Sequence, residues 1–138
     1  MNDHSTSLIP PYGGKLVNLQ VSPEEQVELR AHAATLPRLQ LSPRSVCDLE
    51  LLSTGAFSPL DRFMRQADYE RVIKEMRLAG GTLFPLPITL PVRDEDAIKL
   101  GGEVALVDQH NNTLAVMRVE ELFRWNLETE AQLTYGTL

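Results

Sequence analysis

The 138-residue chain is poor in several things that would otherwise direct its reading. It has a single cysteine, Cys47, so it can close no internal disulfide and offers no thiolate cluster to a metal. That suits a reducing compartment, and the expected localisation is cytoplasmic. It has no excess of positive charge: 13 Lys and Arg stand against 19 Asp and Glu, a net charge of −6. Nucleic-acid binders draw affinity from neutralising phosphates, and anionic membranes select basic segments. Neither nucleic acid nor membrane is therefore an expected partner. No apolar run approaches the roughly 20 residues that span a bilayer, and MNDHSTSLIPPYGG lacks the basic start and apolar core of a secretory signal. Aromatic residues are few, with one Trp, three Tyr and four Phe, which is thin for a base-stacking platform. Phe57, Phe63, Phe84 and Trp125 have apolar neighbours and are expected in a core.

What is present predicts mixed elements. Residues 1–14 read as a flexible leader ending in a Pro- and Gly-rich turn, followed by a short strand over Leu16–Leu19. Ser22-Pro23-Glu24-Glu25 carries the signature of a helix start, with Ser22 as cap, Pro23 in the first turn and Glu25 three residues on. Val27, Ala31 and Ala34 would form its apolar face, and Pro37 would close it. A short strand over 38–41 precedes a helix from Ser42-Pro43 to near Gly55. Asp68 is expected to cap a third helix with a stripe of Tyr69, Val72, Ile73 and Met76, ended by Gly80-Gly81. Leu86, Ile88, Leu90 and Val92 then alternate with Pro87, Thr89 and Pro91, which suits a sheet edge, since proline donates nothing to a ladder. Glu103–Asp108 and Thr113–Val119 read as a hairpin turning at Asn111-Asn112. The fold class is α+β.

The candidates for chemistry all have plainer readings. Gly13-Gly14-Lys15 lacks the spacing, the following Ser or Thr and the strand-to-helix setting of a phosphate loop, leaving a turn. Asp94-Glu95-Asp96 are consecutive, whereas calcium loops alternate their ligands, so a solvated turn is expected. His4, His32 and His110 have no paired metal spacing and read as surface residues. Cys47 has no nucleophile signature and is expected half-buried. Ser45 and Ser58 have no identifiable base. No catalytic, cofactor-binding or metal-binding residue is assigned.

The stretch Val46-Cys47-Asp48-Leu49-Glu50-Leu51-Leu52, then Gly55-Ala56-Phe57-Ser58-Pro59-Leu60, resembles the amino-terminal domain of ATP sulfurylases (sulfate adenylyltransferases). The resemblance continues through Phe63-Met64, Asp68-Tyr69 and Met76-Arg77-Leu78 to Leu83-Phe84-Pro85-Leu86-Pro87-Ile88-Thr89-Leu90. It extends outward to Ile9–Val17 and Tyr135-Gly136-Thr137. Arg62 and Phe84 replace the commoner Gly and Trp, and Asp61-Arg62-Phe63-Met64 is similar to bacterial members fused to an adenylylsulfate kinase.

The resemblance implies a PUA-like small β-barrel with short flanking helices over 15–130, and 131–138 as the start of a linker to a catalytic domain. The family joins sulfate to the AMP moiety of MgATP, releasing pyrophosphate, by attack at the α-phosphorus that basic side chains assist. The family's Gln-x-Arg-Asn-Pro, His-x-x-His and Gly-Arg-Asp strings are absent here. The implied role is non-catalytic, with no cofactor held by this chain and MgATP used by the parent enzyme. Expected partners are the parent's catalytic domain and, in an oligomer, further copies. Asp48, Glu50, Phe57, Ser58, Pro59, Leu60, Phe63 and Met64 would form a structural or interdomain motif. Two other readings stay open: a free-standing RNA-binding module, as PUA-like barrels elsewhere are, and a non-catalytic nucleotide-binding regulator.

Overall fold

The computed structural model describes residues 8–137; the leader's first seven residues, His4 among them, lie outside the described part. The order of elements is α1 (Pro23–Ala33), β1 (Arg38–Gln40), α2 (Pro43–Thr54), α3 (Gln66–Glu75), β2 (Glu103–Val107), β3 (Thr113–Arg118) and α4 (Leu127–Glu130). A 3-10 turn at Tyr12–Gly14 precedes them and a π-helical turn at Ala131–Tyr135 follows.

Local chemistry explains the helix ends. Ser22 Oγ accepts from the Glu25 amide, while the Glu25 carboxylate accepts from the Ser22 amide at 2.9 Å, so two orphan donors are satisfied reciprocally. Ser42 Oγ accepts from the Ser45 amide at 3.1 Å, Pro43 starts α2, and Gly55 ends it in the left-handed region at φ 91°. The third helix differs from expectation at both ends. It starts at Gln66 without a side-chain cap from Arg65, and Asp68 instead accepts from the Ala79 amide. It stops at Glu75, where Met76 takes φ 54° and lies exposed, before the glycines are reached.

The sheet has the order β1-β2-β3. β1 pairs parallel with β2 (Leu39 opposite Leu106), and β2 pairs antiparallel with β3 (Ala105 opposite Val116). A bulge at Leu114 shifts the register as the hairpin closes. Asn111 supplies φ 65° in the turn, where the Asp108 carboxylate accepts from the backbone of His110 and Asn112 and from the Asn112 amide group. Those bonds, led by the Asn112 side chain, hold Asp108 below the usual carboxylate range.

Two apolar clusters form the core. One joins α2 and α3 through Leu52, Leu60, Met64, Tyr69, Val72 and Ile73, closed by Phe84 and Ile88. The other covers the sheet with Leu39, Leu41, Val104, Leu106 and Val119. Phe63 packs against both. Each aliphatic side chain buried in this way contributes about 1.5–3 kcal/mol.

Several expectations are corrected. Leu16–Leu19 is irregular, not a strand, although Val17 is buried. Helix α1 buries Ala33 and half-buries Leu29, while Val27 is 71% exposed; the helix lies on the surface, where a small apolar face has nothing to cover. Residues 84–99 form no strand. Their prolines remove the donors a ladder needs, and Phe84 and Ile88 enter the core while Leu86 and Val92 stay exposed. Leu90 and Ile98 reach the sheet cluster by side-chain packing instead. Trp125 is 42% exposed, so it is not a core residue. Cys47, expected half-buried, is exposed.

Candidate functional site: the Phe57–Met64 turn and its groove

The motif residues gather where α2 hands over to α3. Gly55 and Ser58 are buried, and Ser58 Oγ is the hub. It donates to the Gly55 carbonyl at 2.6 Å and accepts from the Val17 amide at 2.9 Å, so the segment before α1 is fastened to the end of α2. Leu19 adds a backbone bond to Ser53 at 2.9 Å. Pro59 packs on Gly13, whose backbone sits so close that a Cβ there would lie 2.6 Å from the proline ring. Tyr12 Oη donates to the Leu83 carbonyl at 2.5 Å. The Gly13-Gly14 segment is thus a docked turn.

Phe57 meets Phe84 edge to face with ring centroids 6.3 Å apart, an arrangement aromatic quadrupoles favour. Leu60 and Met64 are buried, and the Met64 amide donates to the Ile88 carbonyl at 2.8 Å. Asp48 and Glu50 differ from this inward set. Asp48 is half-buried on α2, and loss of hydration raises its pKa, partly offset by Arg44. Glu50 is exposed.

Beside the turn an open groove of about 1390 Å³ is bordered by residues 61–65, the 89–98 segment and β3 with the residues after it. Arg62, Arg65, Arg93, Arg118 and Arg124 line it, against Asp61, Asp94, Asp96, Glu120 and Glu121. Five cations face five carboxylates, so the groove carries no net pull on a polyanion. Arg62 grips Asp61 at 2.8 Å and Glu120 at 2.8 Å, and Arg65 closes on the same Glu120 oxygen. Arg65 first, then Arg62, holds Glu120 below the usual carboxylate range. The Arg62 hydrogen bond lowers Asp61 likewise. Arg93 pairs with Glu95 at 3.2 Å. Arg62 and Arg65 are thus engaged internally rather than presented to a phosphate.

The remaining candidates do not assemble. His32 Nε2 lies 2.7 Å from Glu103 on the surface, and His110 is at the hairpin tip. Ser45 is used in the α2 cap. Among the described residues no group of three or more His, Cys, Asp or Glu is placed to hold a metal ion, and no helix is long and apolar enough to cross a membrane. Sequence reading missed Glu120, Glu121 and Glu130, whose partners lie 55 to 61 positions away for the contacts that matter most. No local pattern marks such residues.

A three-stranded mixed sheet flanked by short helices, with its loops pinned by a buried serine, defines a small α+β domain of the PUA-like class. A family model described as PUA-like domain matches residues 9–138, and the chain belongs to that family. It is 41% identical over 136 residues to a sulfate adenylyltransferase of Nostoc punctiforme, covering 97% of this chain and 35% of the relative. It is 44% identical over 131 residues to one of Symbiobacterium thermophilum, covering 94% and 33%. A solved structure, the hexameric APS kinase from Thiobacillus denitrificans, superposes with a TM-score of 0.75 at 40% identity, over 85% of this chain and 24% of that one. The chain spans about a third of the length of these curated relatives.

Proposed function

We propose that the chain is the non-catalytic amino-terminal domain of a sulfate adenylyltransferase, acting as a scaffold that packs against the parent's catalytic domain. The parent reaction is ATP plus sulfate to adenosine 5′-phosphosulfate plus pyrophosphate, with MgATP as the nucleotide substrate, in sulfate assimilation in the cytoplasm. The likeness to an APS kinase structure supports a parent that also carries adenylylsulfate kinase and assembles as an oligomer.

The observation that carries the reading is the pairing of Arg62 and Arg65 beside the Phe57–Met64 turn. Stabilising charge at a reacting phosphorus requires preorganised donors free to meet it. Arg62 and Arg65 are instead spent on Asp61 and Glu120. Asp48, Glu50 and the Phe57–Met64 turn then serve structure and interdomain contact: the turn fixes the core edge, Glu50 is exposed on α2, and Asp48 is half-buried beside it. The test is pyrophosphate release. The 138-residue chain with ATP, sulfate and magnesium is expected to give background only, and release above background overturns the reading.

A further inference from the structure

Beyond Val119, whose backbone still bonds to Gly101 and Gly102, the chain leaves the sheet, and among residues 120–135 Glu130 alone is buried. The segment is nevertheless fixed to the first turn of α3. At the start of that helix, Glu121 Oε1 accepts from the Gln66 amide at 2.9 Å, filling the cap that Arg65 does not supply. Glu120 is held by Arg62 and Arg65. One turn on, the Phe123 ring lies 5.4 Å from that of Tyr69. Finally Glu130, only 8% exposed, accepts from Tyr69 Oη at 2.9 Å and from Trp125 Nε1 at 2.5 Å through a single oxygen.

Glu130 is an unusual choice for such a place. A buried carboxylate loses its hydration, and here it is compensated by two neutral donors. An apolar side chain would pack at lower cost, so the carboxylate contributes position: it accepts from both donors only in one placement of the backbone. Hydrogen bonds to a charged acceptor are about twice as strong as neutral ones. A segment with few buried apolar contacts and polar anchors opens at lower free energy than the core.

We propose that residues 120–135 are a detachable strap laid against the first turn of α3 and locked by Glu130, fixing the direction in which the chain leaves the sheet. On the functional reading above, the strap orients the domain that follows, and opening it frees that orientation while the buried residues of both apolar clusters keep their packing, Phe123 alone leaving the edge of the first.

The experiment uses the 138-residue chain, in which Trp125 is the only tryptophan. Trp emission and acrylamide quenching report the strap; amide exchange compares residues 127–135 with β2. Glu130→Ala removes both bonds and is expected to shift emission to the red, raise quenching, and speed exchange in the strap about tenfold or more, the least that losing one charge-assisted bond would give. Exchange in β2 stays at the wild-type rate. Wild-type quenching and strap exchange in this variant overturn the proposal, as does equal acceleration in strap and β2, which would make them one cooperative unit. If Glu130→Ala does not fold, Tyr69→Phe decides, since it keeps the ring against Phe123 and removes one donor: faster strap exchange supports the lock, and unchanged exchange refutes it. Failure here leaves the scaffold reading intact, because that reading is tested by pyrophosphate release.

Discussion

Gly55→Ala is the most demanding single change in the motif. Gly55 ends α2 at φ 91°, and a Cβ there would lie 2.3 Å from the Val17 carbonyl oxygen and 2.9 Å from Leu16 Cδ1. The left-handed conformation costs a non-glycine residue about 1–2 kcal/mol. The overlap is with backbone, which cannot rotate aside, so residues 16–19 must move. That movement gives up the Val17–Ser58 and Leu19–Ser53 hydrogen bonds, each contributing about 0.5–1.5 kcal/mol. The sum is a loss of about 2–5 kcal/mol from a domain total of about 5–15 kcal/mol. Urea unfolding followed by far-UV circular dichroism measures it, with Gly80→Ala as control, since nothing lies within 4 Å of a Cβ at Gly80. The control is expected within about 1 kcal/mol of wild type, of either sign. A Gly55→Ala midpoint indistinguishable from the control's would refute the account of how the leading segment docks.

Ser58→Ala removes the acceptor for the buried Val17 amide and is expected to cost about 1–3 kcal/mol in the same assay; a change below 0.5 kcal/mol, about the scatter of surface substitutions, contradicts the hub role. Glu120 and Asp61 are held below the usual carboxylate range in the folded state. Their contribution is therefore complete above the ordinary value of about 4 and is lost as pH falls through the lower folded values. Glu120→Gln should narrow the difference in Tm between pH 7 and pH 3, and an unchanged difference counts against the Arg62–Glu120–Arg65 pairing. Cys47 is exposed, so the native protein should react with one equivalent of a thiol reagent without denaturant; reaction only after unfolding contradicts this placement.

What the sequence made legible was local. Ser22 with Glu25, Ser42 with Pro43, and Gly55 at the end of α2 mark helix ends because the partners sit within a turn of one another. The hairpin was readable because Asn111 tolerates its backbone angles. The alternation of residues 86–92 misled because it has the period of a strand without the amides of one. The face of α1 misled because the helix lies on the surface, and Val27 has no core to enter. The groove and the Glu130 lock were invisible: Arg62 meets Glu120 across 58 positions, and Glu130 meets Tyr69 across 61. Ser58 was readable as part of a motif, but its bond to Val17, 41 positions away, was not.

In the groove, Arg62 and Arg65 are already engaged by Asp61 and Glu120. Calorimetric titration of the 138-residue chain with MgATP, and separately with adenosine 5′-phosphosulfate, examines that most directly. Flat titrations are expected for both ligands. Saturable one-to-one binding that Arg62→Ala or Arg65→Ala abolishes would show that the groove serves nucleotide, and the scaffold assignment would fall.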